Sequence, residues 1–144
     1  MKKLFIFIFI LFTIPVYSQI KLQSKAIVLH DFVSYVDNYK LSAGKLLLIE
    51  GEYCIVGNIN LDDYKFCRLD LGYDRAAVTK AMELFINTIR DGNVINFSDN
   101  SGEYWACAKY PETEDKIVFC RLVAKNEMFI ISINDMQNMI KKIK

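Results

Sequence analysis

The chain of 144 residues predicts an α+β fold: one antiparallel sheet packed against two or three helices, built from a duplicated helix-strand-strand-strand unit. Three observations predict it. Two segments repeat the same residues, Gly51-Glu52-Tyr53-Cys54 ending in Phe66-Cys67-Arg68-Leu69, and Gly102-Glu103-Tyr104-Trp105-Ala106-Cys107 ending in Phe119-Cys120-Arg121-Leu122. The two cysteines stand thirteen positions apart in both. Each segment is preceded by an apolar pattern at helical spacing that closes on a glycine, Gly44 or Gly92, and followed through by short β-rich runs. The repeats span about 26–69 and 77–122, and one more strand and a helix finish the chain.

Residues 1–18 read as a signal peptide. Lys2 and Lys3 precede the apolar run Leu4–Ile14, and Pro15 with Val16-Tyr17-Ser18 suits cleavage after Ser18, so that the exported domain is 19–144. The run is about half of the roughly 20 residues that a membrane-spanning helix needs, so no stable span is expected after cleavage. The protein is expected in the periplasm or outside the cell.

Within the domain, Leu29, Phe32, Val33, Val36 and Tyr39 fit one face of a helix, although their β-branched content leaves a strand open over 26–33. Val78, Ala81, Met82, Phe85, Ile86 and Ile89 make a cleaner helical stripe, with Asp74 as N-cap and Gly92 as stop. Strands are predicted at 45–49, 53–58, 65–71, 94–97, 103–110, 116–124 and 128–133. A last helix is predicted over 134–143, with Met136, Met139, Ile140 and Ile143 on one face.

Four cysteines in an exported chain point to disulfides. Counting inward from each pair puts Asn60-Leu61 and Thr113-Glu114 at hairpin tips, which predicts Cys54–Cys67 and Cys107–Cys120, with Cys54–Cys107 and Cys67–Cys120 as the rival pairing. Such a bridge contributes about 2 to 3 kcal/mol in the loop-entropy model. Metal is not expected, because zinc ligand pairs of the C-x₂₋₄-C type are absent.

Strand alternation puts Arg68 and Arg121 opposite the neighbouring cysteines, with Tyr53 and Tyr104 at matching parity on the adjacent strands. This quartet is the candidate binding site, since Tyr and Arg are enriched where interfaces concentrate their energy. Ion pairing of the arginines to Glu52 or Glu103 is the plainer reading. Trp105, the single tryptophan, is placed in the core.

Catalytic patterns are sparse. His30, beside Asp31, is the one histidine, and no Gly-x-Ser-x-Gly elbow, phosphate-binding glycine loop or His-Glu-x-x-His motif accompanies it. Asp62, Asp63, Asp99 and Glu103 are the carboxylates available for hydrolysis, and Asp99-Asn100-Ser101-Gly102-Glu103 reads as a polar turn. After loss of Lys2 and Lys3 the chain carries 16 basic and 17 acidic residues, which argues against nucleic acid. The carboxy-terminal Lys141, Lys142 and Lys144 suit the last turn of a helix.

The expectation is therefore an exported, non-catalytic binding or envelope-associated protein with a protein or glycan partner and no cofactor. The alternatives are a small cofactor-independent hydrolase of cell-envelope or extracellular polymers, and a thiol-based redox or metal protein.

Overall fold

The computed structural model describes residues 25–58, 66–124 and 127–144; the signal segment 1–18 and the expected hairpin tip Asn60-Leu61 lie outside the described residues. Two four-stranded antiparallel sheets are formed in simple up-and-down order. The first contains β1 (Ile27–Val36), β2 (Tyr39–Ile49), β3 (Glu52–Asn58) and β4 (Cys67–Gly72). Helix α1 (Arg75–Arg90) leads to the second, made of β5 (Ile95–Ser98), β6 (Tyr104–Lys109), β7 (Lys116–Arg121) and β8 (Met128–Ser132), and α2 (Ile133–Ile143) follows without a break.

The predicted architecture, a single antiparallel sheet against two or three helices built from a helix-strand-strand-strand unit, is corrected by this arrangement. Strands dominate, they form two sheets, and the described residues hold two helices. The expected first helix is strand β1. On a helix Phe32 and Val33 would both belong to the apolar face, whereas here Phe32 and Ser34 point inward and Asp31, Val33 and Tyr35 point out. An inward serine and outward valine and tyrosine blurred the alternation that marks a strand. Gly44, read as a helix stop, lies within β2 and pairs with Phe32 on one side and Gly57 on the other.

The repeated Phe-Cys-Arg-Leu strings occupy matching strands, β4 and β7, but face opposite ways. Cys67 and Leu69 of β4 are buried while Arg68 and Phe66, just before the strand, look outward; Phe119 of β7 is buried and Leu122, just after that strand, is exposed. Side chains alternate with period two, so a shift of one residue exchanges the faces of a whole strand.

Helix α1 starts where expected. The Asp74 carboxylate accepts from Ala77 N at 3.2 Å, and Gly92 takes a positive φ just past the end. Val78, Met82, Phe85, Ile86 and Ile89 form its buried stripe. Phe85 meets Phe119 edge-on at 5.3 Å and Phe97 at 4.9 Å, which fixes α1 against the inner face of the second sheet. One row of that face runs Ile95, Cys107, Phe119, Phe129 across all four strands. Helix α2 is capped by Ser132, whose hydroxyl accepts from Asp135 N.

The sheets meet where β8 crosses the face of β1, β2 and β3. Strand β8 would otherwise present unpaired backbone groups. Instead the Ser34 hydroxyl donates to Ile130 O (2.7 Å), and Ile130 N donates to the Ser42 hydroxyl (3.1 Å), which itself donates to Asn58 O. Ser34 and Ser42 are cross-strand neighbours in β1 and β2, so one pair of inward serines seals this edge. Glycines make room for the docking. A Cβ on Gly57 would stand 2.9 Å from the Phe129 side chain, and one on Gly44 would overlap Val56 O and the Phe32 ring.

Candidate functional site

Each sequence-predicted arginine lies in a network of carboxylates. Arg68 on β4 reaches Asp70 through Nε and Glu52 through Nη2 (3.1 Å). Arg121 on β7 holds Glu103 with Nε and Nη2 at 3.2 and 2.8 Å, and Glu127 with Nη1 at 2.6 Å. Forked contacts of this kind are strong and orient the guanidinium. Each arginine thus pairs with the glutamate of its own repeat, 16 positions away in the first and 18 in the second. The hydrogen bonds from Arg121 to Glu103 and Glu127 raise its pKa.

The two tyrosines part company. Tyr53 is buried and Tyr104 is exposed beside Leu122, whose N–H donates to Tyr104 O. Tyr53, Tyr104, Arg68 and Arg121 therefore do not form two equivalent patches.

Between the arginine networks lies a group that sequence reasoning took for a polar turn. The Asp99 carboxylate accepts from Ser101 N, Ser101 Oγ and Glu103 N on Oδ1, and from Asp70 N and Trp105 Nε1 on Oδ2, all between 2.7 and 3.3 Å. Burial works to raise its pKa, but the hydrogen bonds from Ser101, Asp70, Glu103 and Trp105 outweigh burial and hold it below the ordinary carboxylate range. The neighbouring Asn100 donates from its backbone to Asp70 O and from its side chain to Glu52. The β5–β6 turn thereby pins the outer edge of β4. Asp70 is shifted the other way: its burial, with Glu52 and Asp99 nearby, outweighs the pull of Arg68. The candidate acids Asp62 and Asp63 lie outside the described residues.

No two of the four cysteines lie at disulfide distance, and for the hairpin pairings Cys54–Cys67 and Cys107–Cys120 the strand register gives the reason. Cys67 pairs with Gly57 across the β3–β4 ladder, and Cys54 with Asp70. Cys107 pairs with Phe119, and Cys120 with Ala106, so those two cysteines face opposite sides of one hairpin. In the rival pairing, Cys54 lies with Arg68 and Asp70 while Cys107 belongs to the inner row of the other sheet; Cys67 and Cys120 are near enough for their charges to interact but are not at disulfide distance. Burial pushes the Cys54 thiol up to about 11 and the Cys67 thiol up to about 12, and it raises Cys107 as well. A reactive or metal-binding cysteine needs the opposite shift. Among the described residues no cluster of three or more His, Cys, Asp or Glu is arranged to hold a metal.

His30 has a partner 105 residues away. Its Nε2 is 3.0 Å from Asp135 Oδ1, and Asp135 Oδ2 accepts from the Ser132 hydroxyl. The order Ser, Asp, His places the carboxylate in the middle. In a nucleophilic triad the imidazole must stand between, next to the hydroxyl whose proton it takes. The contact instead ties the N-terminus of α2 to β1.

An open cleft lies elsewhere, between two hairpin tips. Its volume is about 570 Å³, and Tyr35, Asp37, Tyr110, Glu112, Asp115 and Lys116 contribute to its walls. One wall is the β1–β2 turn, where Asp37 and Asn38 both take positive φ (48° and 68°), the geometry of a tight two-residue hairpin turn. The other is the β6–β7 turn, closed by Tyr110 N to Lys116 O and by Thr113 Oγ1 to Tyr110 O. Asp115 O accepts from Ile133 N at the start of α2, which anchors this wall to the body of the protein. Sequence reasoning missed the cleft because Tyr35–Asp37 had been assigned to a helix, and only the fold brings that segment to residues 110–116. Among the described residues no helix is long and apolar enough to cross a membrane.

Comparison with known proteins finds no matching family, no matching curated protein and no matching solved structure.

Proposed function

We propose that the chain is an exported, non-catalytic binding protein that holds a hydroxyl-rich ligand, a glycan segment, in the cleft between the β1–β2 and β6–β7 tips. The observation that carries this reading is the chemistry of the cleft walls. Tyr35 and Tyr110 offer aromatic surface for the apolar face of a sugar ring, while Asp37, Glu112 and Asp115 offer acceptors and Lys116 a donor for its hydroxyls. The volume falls in the range of about 300 to 1,000 Å³ usual for small-ligand sites. The β6–β7 wall is an internally hydrogen-bonded turn and the β1–β2 wall a tight turn between paired strands, so little ordering remains to be done on binding. Export rests on the residue pattern of 1–18 and is checked by finding Gln19 at the start of the secreted protein.

A glycan array probed with residues 19–144, followed by titration calorimetry of any hit, tests the binding. The reading predicts that Tyr110→Ala weakens binding by about tenfold or more, an aromatic contact's usual scale, while Tyr73→Ala, an exposed tyrosine outside the cleft, leaves it unchanged. Absence of any glycan hit, or equal loss in both variants, removes the proposal. Release of soluble fragments from an incubated envelope polymer, abolished by Glu112→Gln or Asp115→Asn, selects the cofactor-independent hydrolase instead.

A further inference from the structure

Three of the four sheet edges are closed or short. The β5–β6 turn pins β4 through Asp70 N to Asp99 Oδ2 and Asn100 N to Asp70 O, the serines of the first sheet seal β8, and β5 has only four residues. Strand β1 differs. It is ten residues long and borders β2 on one side alone. Among the described residues, none of the backbone hydrogen bonds made outside the helices and ladders involves it. Its ties to β8 and α2 run through the side chains of Ser34 and His30, not through its edge.

An open edge of this length is ordinarily protected by lysine, proline or an unpaired charge that discourages strand addition. Strand β1 holds neither lysine nor proline, and its single carboxylate, Asp31, is matched by Lys45 at 2.9 Å. Val33 and Tyr35, which share the outward face with Asp31, are both exposed. The two irregularities in its pairing with β2 also differ in kind. Between Val28 and His30 the extra residue is Leu29, on β1, whereas between Ser34 and Tyr35 it is Leu41, on β2. The edge of β1 therefore runs unbroken from His30 to Val36, and the midpoint of that run is Val33.

We propose that β1 pairs antiparallel with β1 of a second copy about a two-fold axis at Val33, so that the two first sheets become one of eight strands. Directly opposed residues of antiparallel strands point to the same face, so outward side chains meet outward ones. With the axis at Val33, the two Val33 side chains meet each other. Asp31 then lies across from Tyr35 of the second copy, an acceptor opposite a hydroxyl donor. Neighbouring registers are poorer. An axis at Asp31 opposes two carboxylates, one at Ser34 sets Asp31 against Asp37, and one at Phe32 sets Asp31 against Val33. The edge is thus complementary to itself, which selects a second copy over an unrelated strand. Tyr35 also lines the cleft between the hairpin tips, but the pairing does not depend on what that cleft holds.

The paired run spans roughly 24 Å, which puts the contact in the weak class of interfaces, below about 1,200 Å² in total. The test is accordingly sedimentation equilibrium of residues 19–144 at up to about 0.5 mM, where even submillimolar association is visible. A reversible monomer–dimer equilibrium is expected. Val33→Lys sets like charges on the axis and should raise the dissociation constant by about fivefold or more. Leu84→Lys, which alters an exposed apolar residue on α1, should leave it unchanged. Amide exchange at residues 30–36 should slow as protein concentration rises. A chain that stays monomeric at the highest concentration overturns the proposal; protection of β1 by an added extended peptide would then assign the edge to another protein. A dimer that Val33→Lys leaves intact, or one that protects only amides outside β1, overturns it too, because the interface then lies elsewhere.

Discussion

Replacing Asp99 with asparagine removes one oxygen acceptor from a carboxylate that accepts five hydrogen bonds. Whichever way the amide turns, its NH₂ group meets donors. In the milder orientation Asp70 N and Trp105 Nε1 lose their acceptor, and the indole involved is fully buried. A buried donor left unsatisfied costs about 1 to 3 kcal/mol, so the two together predict a loss of about 2 to 6 kcal/mol. Against a total stability of roughly 5 to 15 kcal/mol this is a large fraction. Urea unfolding followed by the fluorescence of Trp105, the single tryptophan, reads both the midpoint and the local environment of the indole. The acid limb supplies a second reading. Asp99 has a folded pKa below its unfolded value, so its stabilisation is complete above the unfolded pKa of about 3.9 and is lost as pH falls through the folded value. Asp70, with its raised pKa, contributes in the opposite sense, and it is present in both proteins. The wild type should therefore lose more stability than Asp99→Asn on going from pH 5 to strongly acid solution. A difference below about 1 kcal/mol at neutral pH, or identical acid slopes for the two proteins, would refute the assignment of Asp99 as the hub of this seam.

Three further outcomes are expected. Gly57→Ala should destabilise by about 1 to 3 kcal/mol, as overpacking does, because the added methyl meets Phe129; Gly44→Ala should cost more, since its methyl meets the carbonyl of Val56 in the neighbouring strand. Thermal or urea denaturation checks both. Ser42→Ala removes the acceptor of Ile130 N and the donor to Asn58 O, and should cost about 1 to 3 kcal/mol, with amide exchange at Ile130 accelerated before that of the strand centres. Cys54, Cys67 and Cys107 should resist iodoacetamide at pH 8 in the native protein and react only in guanidinium, as their burial and raised pKa values require; mass spectrometry of the labelled peptides decides, and rapid native labelling of any of the three would contradict the structure.

Local signals in the sequence were legible where a single element carried them. Asp74, the stripe Val78 to Ile89 and Gly92 specify α1 from within nineteen residues, and the structure caps it at Asp74. The β-rich runs also fall on strands. What failed was information shared between distant segments. Ser34 and Ser42 are inward because Ile130, about ninety residues on, needs them, so their polarity disguised β1 as something other than a half-buried strand. The partners of Asp99 include Asp70, 29 positions earlier, which no turn pattern discloses. Identical Phe-Cys-Arg-Leu strings suggested identical positions, yet register is set by the partner strand, and the two copies face opposite ways. One nearby signal was overlooked: Ser132 and Asp135 have the spacing of a capping box, which places the start of α2 directly after β8.

The serine seal at Ile130 also bears on how the chain acquires its shape. The first sheet is assembled from neighbouring hairpins, but its inner face is completed by a strand whose contacts to Ser34 and Ser42 span 96 and 88 residues. Closing so long a loop is entropically costly before any contact rewards it, and topologies rich in such contacts fold slowly. Until β8 arrives, the two hydroxyls and the glycine floor beneath Phe129 remain hydrated in a partly built molecule. Docking of β8 is then expected to be a late step, because it joins the two sheets through contacts 96 and 88 residues apart. Substitutions at Phe129 should accordingly accelerate unfolding far more than they slow folding.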